Sequence, residues 1–143
     1  MASIRLTKAG SGRPFTPRQR IPTMNHTHPI TLSASTLVGD TVVNKAGETL
    51  GELHEIMLDL HSGRISYAVI SFGGFLGIGD KLFAIPWSKL EIDTDRKCVV
   101  FDVSKEQLER ADGFDKDDWP DFGEESFHTT TYGYWRATPY WAH

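Results

Sequence analysis

The sequence predicts an all-β fold, either a small barrel or a sandwich. Between residues 47 and 87, apolar runs of strand length alternate with glycine-bearing turns, and no helix-length periodicity intervenes. β-branched and aromatic residues are enriched in these runs, which is typical of strands. A chain of 143 residues with 39% hydrophobic content is sufficient for one compact core.

The first strands are separated by short polar breaks. They are predicted at residues 42–43, 53–60, 65–72 and 82–85. Gly63 lies between the second and third runs and tolerates a positive φ, so a tight hairpin is predicted there. Pro86 cannot donate to a strand ladder, and it therefore predicts a sheet edge, a bulge or a bend.

Two more strands and one short helix are predicted downstream. The strands fall at residues 90–92 and 98–103. Ser104 is a suitable N-cap for the helix, and Gln107 is its capping-box partner three residues later. Leu108 and Ala111 are predicted to face the barrel, and Gly113 is predicted to end the helix.

A family resemblance is carried by the succession from Gly47 to Trp87, continuing to Leu90 and Phe101. This succession resembles a PRC-barrel domain, and its most specific piece is FGGFLGIGDKLFAIPW. The segments ADGFDKDDWPDF and YGYWRATPYW are similar to the C-terminal extension of free-standing bacterial members. One departure is Asp112, where relatives commonly carry proline before Gly113.

The resemblance implies a function as well as a fold. The family is named for the soluble domain of the photosynthetic reaction-centre H subunit, and it includes the C-terminal domain of a bacterial ribosome-maturation factor. It implies a non-catalytic protein-interaction or assembly module that needs no cofactor. The alternative is an accessory subunit or regulator of a photosynthetic or respiratory electron-transfer complex.

Three regions are expected along the chain. Residues 1–32 form a basic and flexible arm, residues 33–111 form the PRC barrel with its short terminal helix, and residues 112–143 form an acidic, aromatic extension. A barrel of this size buries little surface by itself, so a homodimer is predicted, with the extension packed on the barrel or on the second subunit. Met24 is an alternative start.

Charge is distributed unevenly. Residues 1–39 carry five cations and no acidic residue, whereas residues 40–143 carry ten cations and nineteen acids, a net charge of −9. An acidic domain repels phosphate, so no nucleic-acid partner is expected. There is no apolar stretch of export or membrane-span length, so we expect a cytoplasmic chain without direct membrane insertion, possibly peripheral to a membrane complex.

Aromatic residues are concentrated near the C-terminus, where nine of the chain's sixteen lie in residues 111–143. So many rings are predicted to pack against the barrel or a second subunit, or to dock a protein partner. The acids between them argue against stacking on nucleic acid. The candidate interaction residues are Phe114, Trp119, Tyr132, Tyr134, Trp135, Tyr140 and Trp141.

Catalytic and metal-binding interpretations are weaker. The glycines at 74–79 reverse the dinucleotide-binding spacing and lead into a strand, which favours a simple connecting loop. A triad can be written from Ser66 or Ser71 with His54 and Asp59, but no nucleophile elbow accompanies it. Strand alternation places His54 on the opposite face from Asp59.

The remaining histidines and acids also suggest no metal enzyme. His26 and His28 form a pair in the basic arm without a carboxylate or thiol nearby. The acids of the extension lack the spacing of a calcium loop. We therefore expect neither catalytic residues nor a bound metal.

Overall fold

The computed structural model describes residues 29–73 and 81–141. The chain divides into two units, Met1–Thr31 and Leu32–His143, and the described helices and strands all lie in the second. The six strands are β1 Thr41–Val43, β2 Thr49–Asp59, β3 Arg64–Phe72, β4 Lys81–Pro86, β5 Leu90–Asp93 and β6 Cys98–Phe101. The helices are α1 Ala34–Leu37, α2 Lys105–Arg110 and α3 Glu125–Tyr134, with a 3₁₀ turn at Trp87–Lys89.

The strands form a single curled sheet in the order β4-β3-β2-β1-β6-β5. All neighbours are antiparallel except β1 and β6, which run parallel. The 3₁₀ turn joins the two edge strands, β4 and β5. The predicted all-β barrel-type fold is confirmed, and Pro86 ends an edge strand as its missing N–H predicts.

The β2–β3 hairpin is as tight as the sequence predicts. Gly63 has a φ of 77°, and its N–H donates to the carbonyl of Asp59 over 2.8 Å. The Asp59 side chain accepts a further hydrogen bond from the N–H of His61. A positive φ suits glycine because it has no Cβ to collide with the backbone.

Strand β2 does not alternate regularly between two faces. Its pairing with β3 skips His54, which lies between Leu53 and Glu55, and its pairing with β1 skips Leu50. Such bulges add an extra residue and shift the phase of the side chains. As a result Leu50, Leu53 and Ile56 all contact the same interior cluster although they are three residues apart.

The barrel interior is mainly aliphatic. Its buried residues are Leu37, Val42, Leu50, Leu53, Ala68, Ile70, Phe72, Phe83, Ile85, Val99, Phe101, Val103, Leu108 and Ala111. These side chains come from α1, α2 and every strand except β5, whose Leu90 and Ile92 pack at the margin. Burial of this apolar surface is the main stabilising contribution to the barrel.

Helix α2 packs against the barrel interior through Leu108 and begins with the predicted capping box. The Ser104 hydroxyl accepts from the N–H of Gln107, and the Gln107 side chain accepts from the N–H of Ser104, both over 3.0 Å. Leu108 and Ala111 face the interior as predicted. The helix ends at Arg110 rather than at Gly113, because Ala111 already has extended backbone angles.

No helix within the described residues is long and apolar enough to cross a bilayer.

Candidate interaction surface on the C-terminal extension

The extension, residues 112–141, begins at the exposed edge of β4. The N–H of Phe114 donates to the carbonyl of Leu82 over 2.8 Å, and the reverse bond is 2.9 Å. At Gly113, an added Cβ would lie 2.6 Å from the Leu82 carbonyl oxygen. Glycine at this position therefore allows the extension to approach the sheet edge.

Helix α3 follows and was not predicted from the sequence. It contains three threonines and a glycine, which have low helix propensity, and its N-cap Glu124 makes no side-chain capping bond. Phe127 and Tyr132 of this helix pack in an outer cluster against Tyr67 of β3 and Ala84 of β4. Tertiary packing thus stabilises a helix that its own sequence only weakly favours.

Tyr67 is the centre of this outer cluster, which we call the aromatic layer. The layer contains Met57, Tyr67, Ala84, Phe114, Phe122, Phe127, Tyr132, Ala137 and Tyr140. The fully buried Tyr67 ring lies 5.4 to 5.8 Å from the rings of Phe122, Phe127, His128 and Tyr132. Strand β3 is therefore covered on both faces at its centre, which explains the four consecutive buried apolar residues at 67–70.

His128 connects the Tyr67 hydroxyl to the backbone of the extension. Its Nδ1 lies 2.8 Å from the Tyr67 oxygen and its Nε2 lies 2.7 Å from the Phe122 carbonyl oxygen. A carbonyl oxygen only accepts, so Nε2 carries a proton and donates to Phe122; in the tautomer with its proton on Nε2, Nδ1 accepts from the Tyr67 hydroxyl. Burial raises the pKa of Tyr67 above its usual value, so the hydroxyl stays protonated.

Two further tyrosines attach the extension to the barrel. The Tyr132 hydroxyl donates to the carbonyl of Ser66 over 2.8 Å, and burial raises the pKa of Tyr132 to about 12. The Tyr140 hydroxyl donates to Oδ2 of Asp59 over 2.7 Å. Chiefly through this bond, the pKa of Asp59 falls from 3.8 to about 2. The carboxylate is thus a permanent acceptor near neutral pH.

The seven candidate interaction residues are divided between packing and surface positions. Phe114, Tyr132 and Tyr140 belong to the aromatic layer, in which Tyr132 is buried, and Trp135 packs on the barrel interior beside Phe101. The exposed members are Trp119, Tyr134 and Trp141, which keep 36%, 54% and 43% of their surface in solvent. Only these three present a large aromatic surface to solvent.

A groove runs between the β2–β3 hairpin and the extension, with a volume of about 510 Å³. It is lined by Met57, Leu58, Asp59, Leu60, Ser66, Phe122, Gly123, Glu125, His128, Tyr140 and Trp141. Leu58 and Leu60 are 59% and 89% exposed, so one wall presents aliphatic side chains and the other presents Trp141. The sequence had placed both leucines in a strand run and gave no sign of their exposure.

The residues of the hypothetical triad do not come together. The Ser66 hydroxyl donates to the carbonyl of Met57, the His54 ring lies 6.2 Å from the ring of Trp119, and Asp59 is bound by Tyr140. His54 and Asp59 contact different parts of the extension, at Trp119 and Tyr140 respectively. The bulge at His54 interrupts the regular alternation of β2 on which the prediction of opposite faces depended.

Other predicted features lie outside the described residues, namely the glycines at 74–79 and the pair His26 and His28. Among residues 29–73 and 81–141, no group of three or more histidine, cysteine or acidic side chains is placed to hold a metal ion.

Comparison with protein-family models agrees with this architecture. The family model of the PRC-barrel domain matches residues 29–108, which is more than half of the chain. No curated protein shows significant similarity to the sequence. Among solved structures, the chain is similar to one described as the 16S ribosomal RNA processing protein RimM of Pseudomonas aeruginosa.

That structural similarity is distant. The identity is 14% and the TM-score is 0.38, and the alignment covers 58% of this chain and 50% of the other. The chain thus spans about half the length of that protein. The family model matches the sheet, the connecting turns and most of α2, which together make up the barrel described above. The chain therefore belongs to the PRC-barrel domain family.

Proposed function

We propose that this chain is a non-catalytic protein-interaction or assembly module, and that it binds its partner at the groove between the β2–β3 hairpin and the extension. The observation that carries the proposal is the exposure of Leu58, Leu60 and Trp141 around one groove. Large apolar side chains gathered on a surface are typical of protein-binding sites.

The arrangement of polar groups supports a non-catalytic role. The hydroxyls of Tyr67, Tyr132 and Tyr140 bond to His128, to a backbone carbonyl and to Asp59 respectively, and His128 also bonds to the Phe122 carbonyl. Catalysis would need a nucleophile or base facing a free site, with a second group in place to orient it. These groups instead hold the extension on the barrel.

Capture of partners from a lysate of the source organism tests the proposal. The baits are the full-length chain, the double variant Leu58→Ser/Leu60→Ser, and Tyr134→Ser as a matched control, since Tyr134 is exposed but does not line the groove. We expect a protein that is enriched by the wild type and by the control but lost with the double variant. Equal capture by all three baits, or no capture at all, would contradict the proposal.

Deletion of residues 112–143 is not a suitable bait. Tyr67 and Ala84 are covered by the extension, so its removal would expose the outer face of β3 and β4 to water. Loss of capture would then report misfolding as readily as loss of a contact. Substitutions of exposed side chains avoid this ambiguity.

Self-association is a second part of the proposal. A homodimer formed through the same groove would cover Leu58, Leu60 and Trp141. Light scattering on the full-length chain checks this, and the mass of one chain at micromolar concentration and above would contradict it. The electron-transfer alternative rests on family resemblance alone, and no contact in the described residues favours it.

A further inference from the structure

From the charges around the groove we infer the chemistry of its occupant: a peptide segment of a partner protein that carries apolar side chains flanked by lysine or arginine. The inference rests on the proposed function, because it names what the interaction module binds. It depends on the size of the groove, on its apolar rim and on the sign of its charge.

The groove is large enough for several side chains of a peptide. Its volume of about 510 Å³ lies within the range of about 300–1,000 Å³ that is common for ligand sites. The floor includes Met57 and Phe122, and the polar groups of Ser66, His128 and Tyr140 are already hydrogen-bonded. Such a groove favours apolar side chains over a highly polar small molecule.

The rim of the groove provides the apolar contact area. Leu60 at the hairpin tip and Leu58 on the strand form one side, and Trp141 forms the other. The Trp141 ring is held by an edge contact with the Tyr132 ring at 4.7 Å, so its orientation is set before binding. A tryptophan fixed in this way loses little conformational freedom on binding, which is a property of interface hot spots.

The negative charge of the extension wall favours a positively charged partner. Glu125 lines the groove, and Asp121 and Glu124 are the sequence neighbours of the lining residues Phe122 and Gly123. Within the described part of the chain, none of these three carboxylates forms an ion pair; the ion pair found there joins Asp93 and Arg96. All three are exposed; Oδ1 of Asp121 accepts a hydrogen bond from the N–H of Gly123, and its negative charge still adds to that of the wall.

The hairpin wall contributes one charge of each sign. Asp59 accepts hydrogen bonds from Tyr140 and Ser62, and the Arg64 guanidinium lies 5.5 Å above the Tyr140 ring. These two charges offset each other, so the net charge around the groove comes from the extension wall. A negative rim attracts basic segments and repels acidic ones and nucleic acid.

Binding of designed peptides to the full-length chain tests the inference. The probes are three fluorescein-labelled peptides of equal length, about twelve residues each, built from leucine and lysine, leucine and glutamate, or serine and lysine. Fluorescence anisotropy measures their affinities at low and at physiological salt. We expect the leucine–lysine peptide to bind at least about tenfold more tightly than either of the others.

Variants of the chain locate the binding. Leu60→Ser and Trp141→Ala should each weaken the leucine–lysine peptide by about tenfold, whereas Tyr134→Ala should leave its affinity unchanged. Glu125→Lys should weaken binding and reduce its salt dependence. Glu109→Lys on α2 changes the net charge by the same amount away from the groove, and it should have no such effect.

Several outcomes would overturn the inference. Equal binding of the serine–lysine peptide would show that charge alone acts, and equal binding of the leucine–glutamate peptide would show that the rim does not select cations. If Leu60→Ser, the variant least able to disturb the fold, leaves the affinity for the leucine–lysine peptide unchanged, the peptide binds elsewhere. If Trp141→Ala converts a dimer into a monomer in sedimentation, the groove belongs to a second copy of the chain.

The failure of this inference is distinguishable from the failure of the proposed function. Groove-dependent capture of a partner together with no binding of the leucine–lysine peptide would leave the interaction module standing and reject the basic peptide as its occupant. Absence of both would reject the two proposals together.

Discussion

The two faces of β3 are buried by different chemistry. On the inner face, Ala68 and Ile70 pack among aliphatic side chains of the barrel. On the outer face, Tyr67 packs among rings whose polar tips bond to the barrel or to the extension. The stability of the interior thus depends on how well side-chain volumes and shapes fit together. The stability of the aromatic layer depends on buried area and also on directional hydrogen bonds.

This difference has a consequence for function. A mainly aliphatic interior stays shielded from water, because contact with water would expose apolar groups that cannot form hydrogen bonds. A layer of tyrosine, histidine and tryptophan can end at a wet groove, since these rings are apolar on their faces and polar at their tips. The outer layer is therefore where the proposed binding groove opens.

The largest expected effect comes from removing a phenylalanine of the barrel interior, compared with removing one of the aromatic layer. Phe83→Ala should lower the free energy of unfolding by about 3–5 kcal/mol, because it opens a cavity in the closed interior. Phe127→Ala removes the same side chain from a half-buried position in the aromatic layer and should cost less. Urea denaturation of both variants measures the difference. Equal losses would show that the two layers are packed alike.

A second prediction concerns close packing between β2 and β3. In Gly51→Ala, the new Cβ would overlap the carbonyl oxygen of Ser71, so the strands must separate. We expect a loss of about 1–3 kcal/mol in the free energy of unfolding. Gly133→Ala in α3 is the matched control, since its Cβ meets nothing within 4 Å. It should stabilise the chain by about 0.5–1 kcal/mol, and a loss there would contradict the account of α3.

A third prediction isolates one hydrogen bond of the aromatic layer. Tyr132→Phe keeps the buried ring but leaves the Ser66 carbonyl without its hydroxyl donor. The free energy of unfolding should fall by about 1–3 kcal/mol, because a buried acceptor loses its partner. Tyr134→Phe removes a hydroxyl from an exposed ring two residues away and should change nothing measurable in thermal unfolding. If the two variants unfold at the same temperature, the hydroxyl of Tyr132 does not contribute to stability.

The smallest effect is a pH dependence at the end of the extension. The pKa of Asp59 is lowered from 3.8 to about 2 in the folded chain, chiefly by the Tyr140 hydroxyl. A group with a lowered folded pKa stabilises the fold above its unfolded pKa and loses that contribution as pH falls through the folded value. The stability difference between wild type and Tyr140→Phe should therefore shrink between about pH 4 and about pH 2.

Urea unfolding across this pH range checks the last prediction. The control is the same tyrosine substitution made in Asp59→Asn, whose amide does not titrate. The difference in free energy of unfolding between Asp59→Asn and Asp59→Asn/Tyr140→Phe should not change with pH. If the difference in free energy of unfolding between wild type and Tyr140→Phe stays constant from about pH 5 to about pH 2.5, the bond from Tyr140 does not couple the protonation of Asp59 to folding.

Local signals in the sequence predicted much of the barrel. The Ser104 capping box, the hairpin glycine at 63 and Pro86 at a sheet edge each act through neighbouring backbone, so their residues alone are sufficient to predict them. The apolar runs predicted the strands for the same reason. The family resemblance then identified the fold as a PRC barrel, and the family match confirms it.

The candidate site was less accessible to prediction. Aromatic residues in the extension indicated a packing or docking segment, but their spacing did not separate the buried Tyr132 from the exposed Tyr134 two positions later. Helix α3 was missed because its threonines favour no helix by themselves. Leu58 and Leu60 look like core residues in a strand pattern, and only their position beside the extension shows them as the wall of a groove.

By itself the sequence determined the strands, the first turns, the cap of α2 and the acidic, aromatic character of the extension, because these depend on residue type and on interactions within a few positions. The tertiary structure decided which rings are buried, how the bulge at His54 redirects β2, and where a groove opens. These depend on contacts such as Tyr132 with Ser66, which lie 66 positions apart and form only when the extension folds back on the barrel.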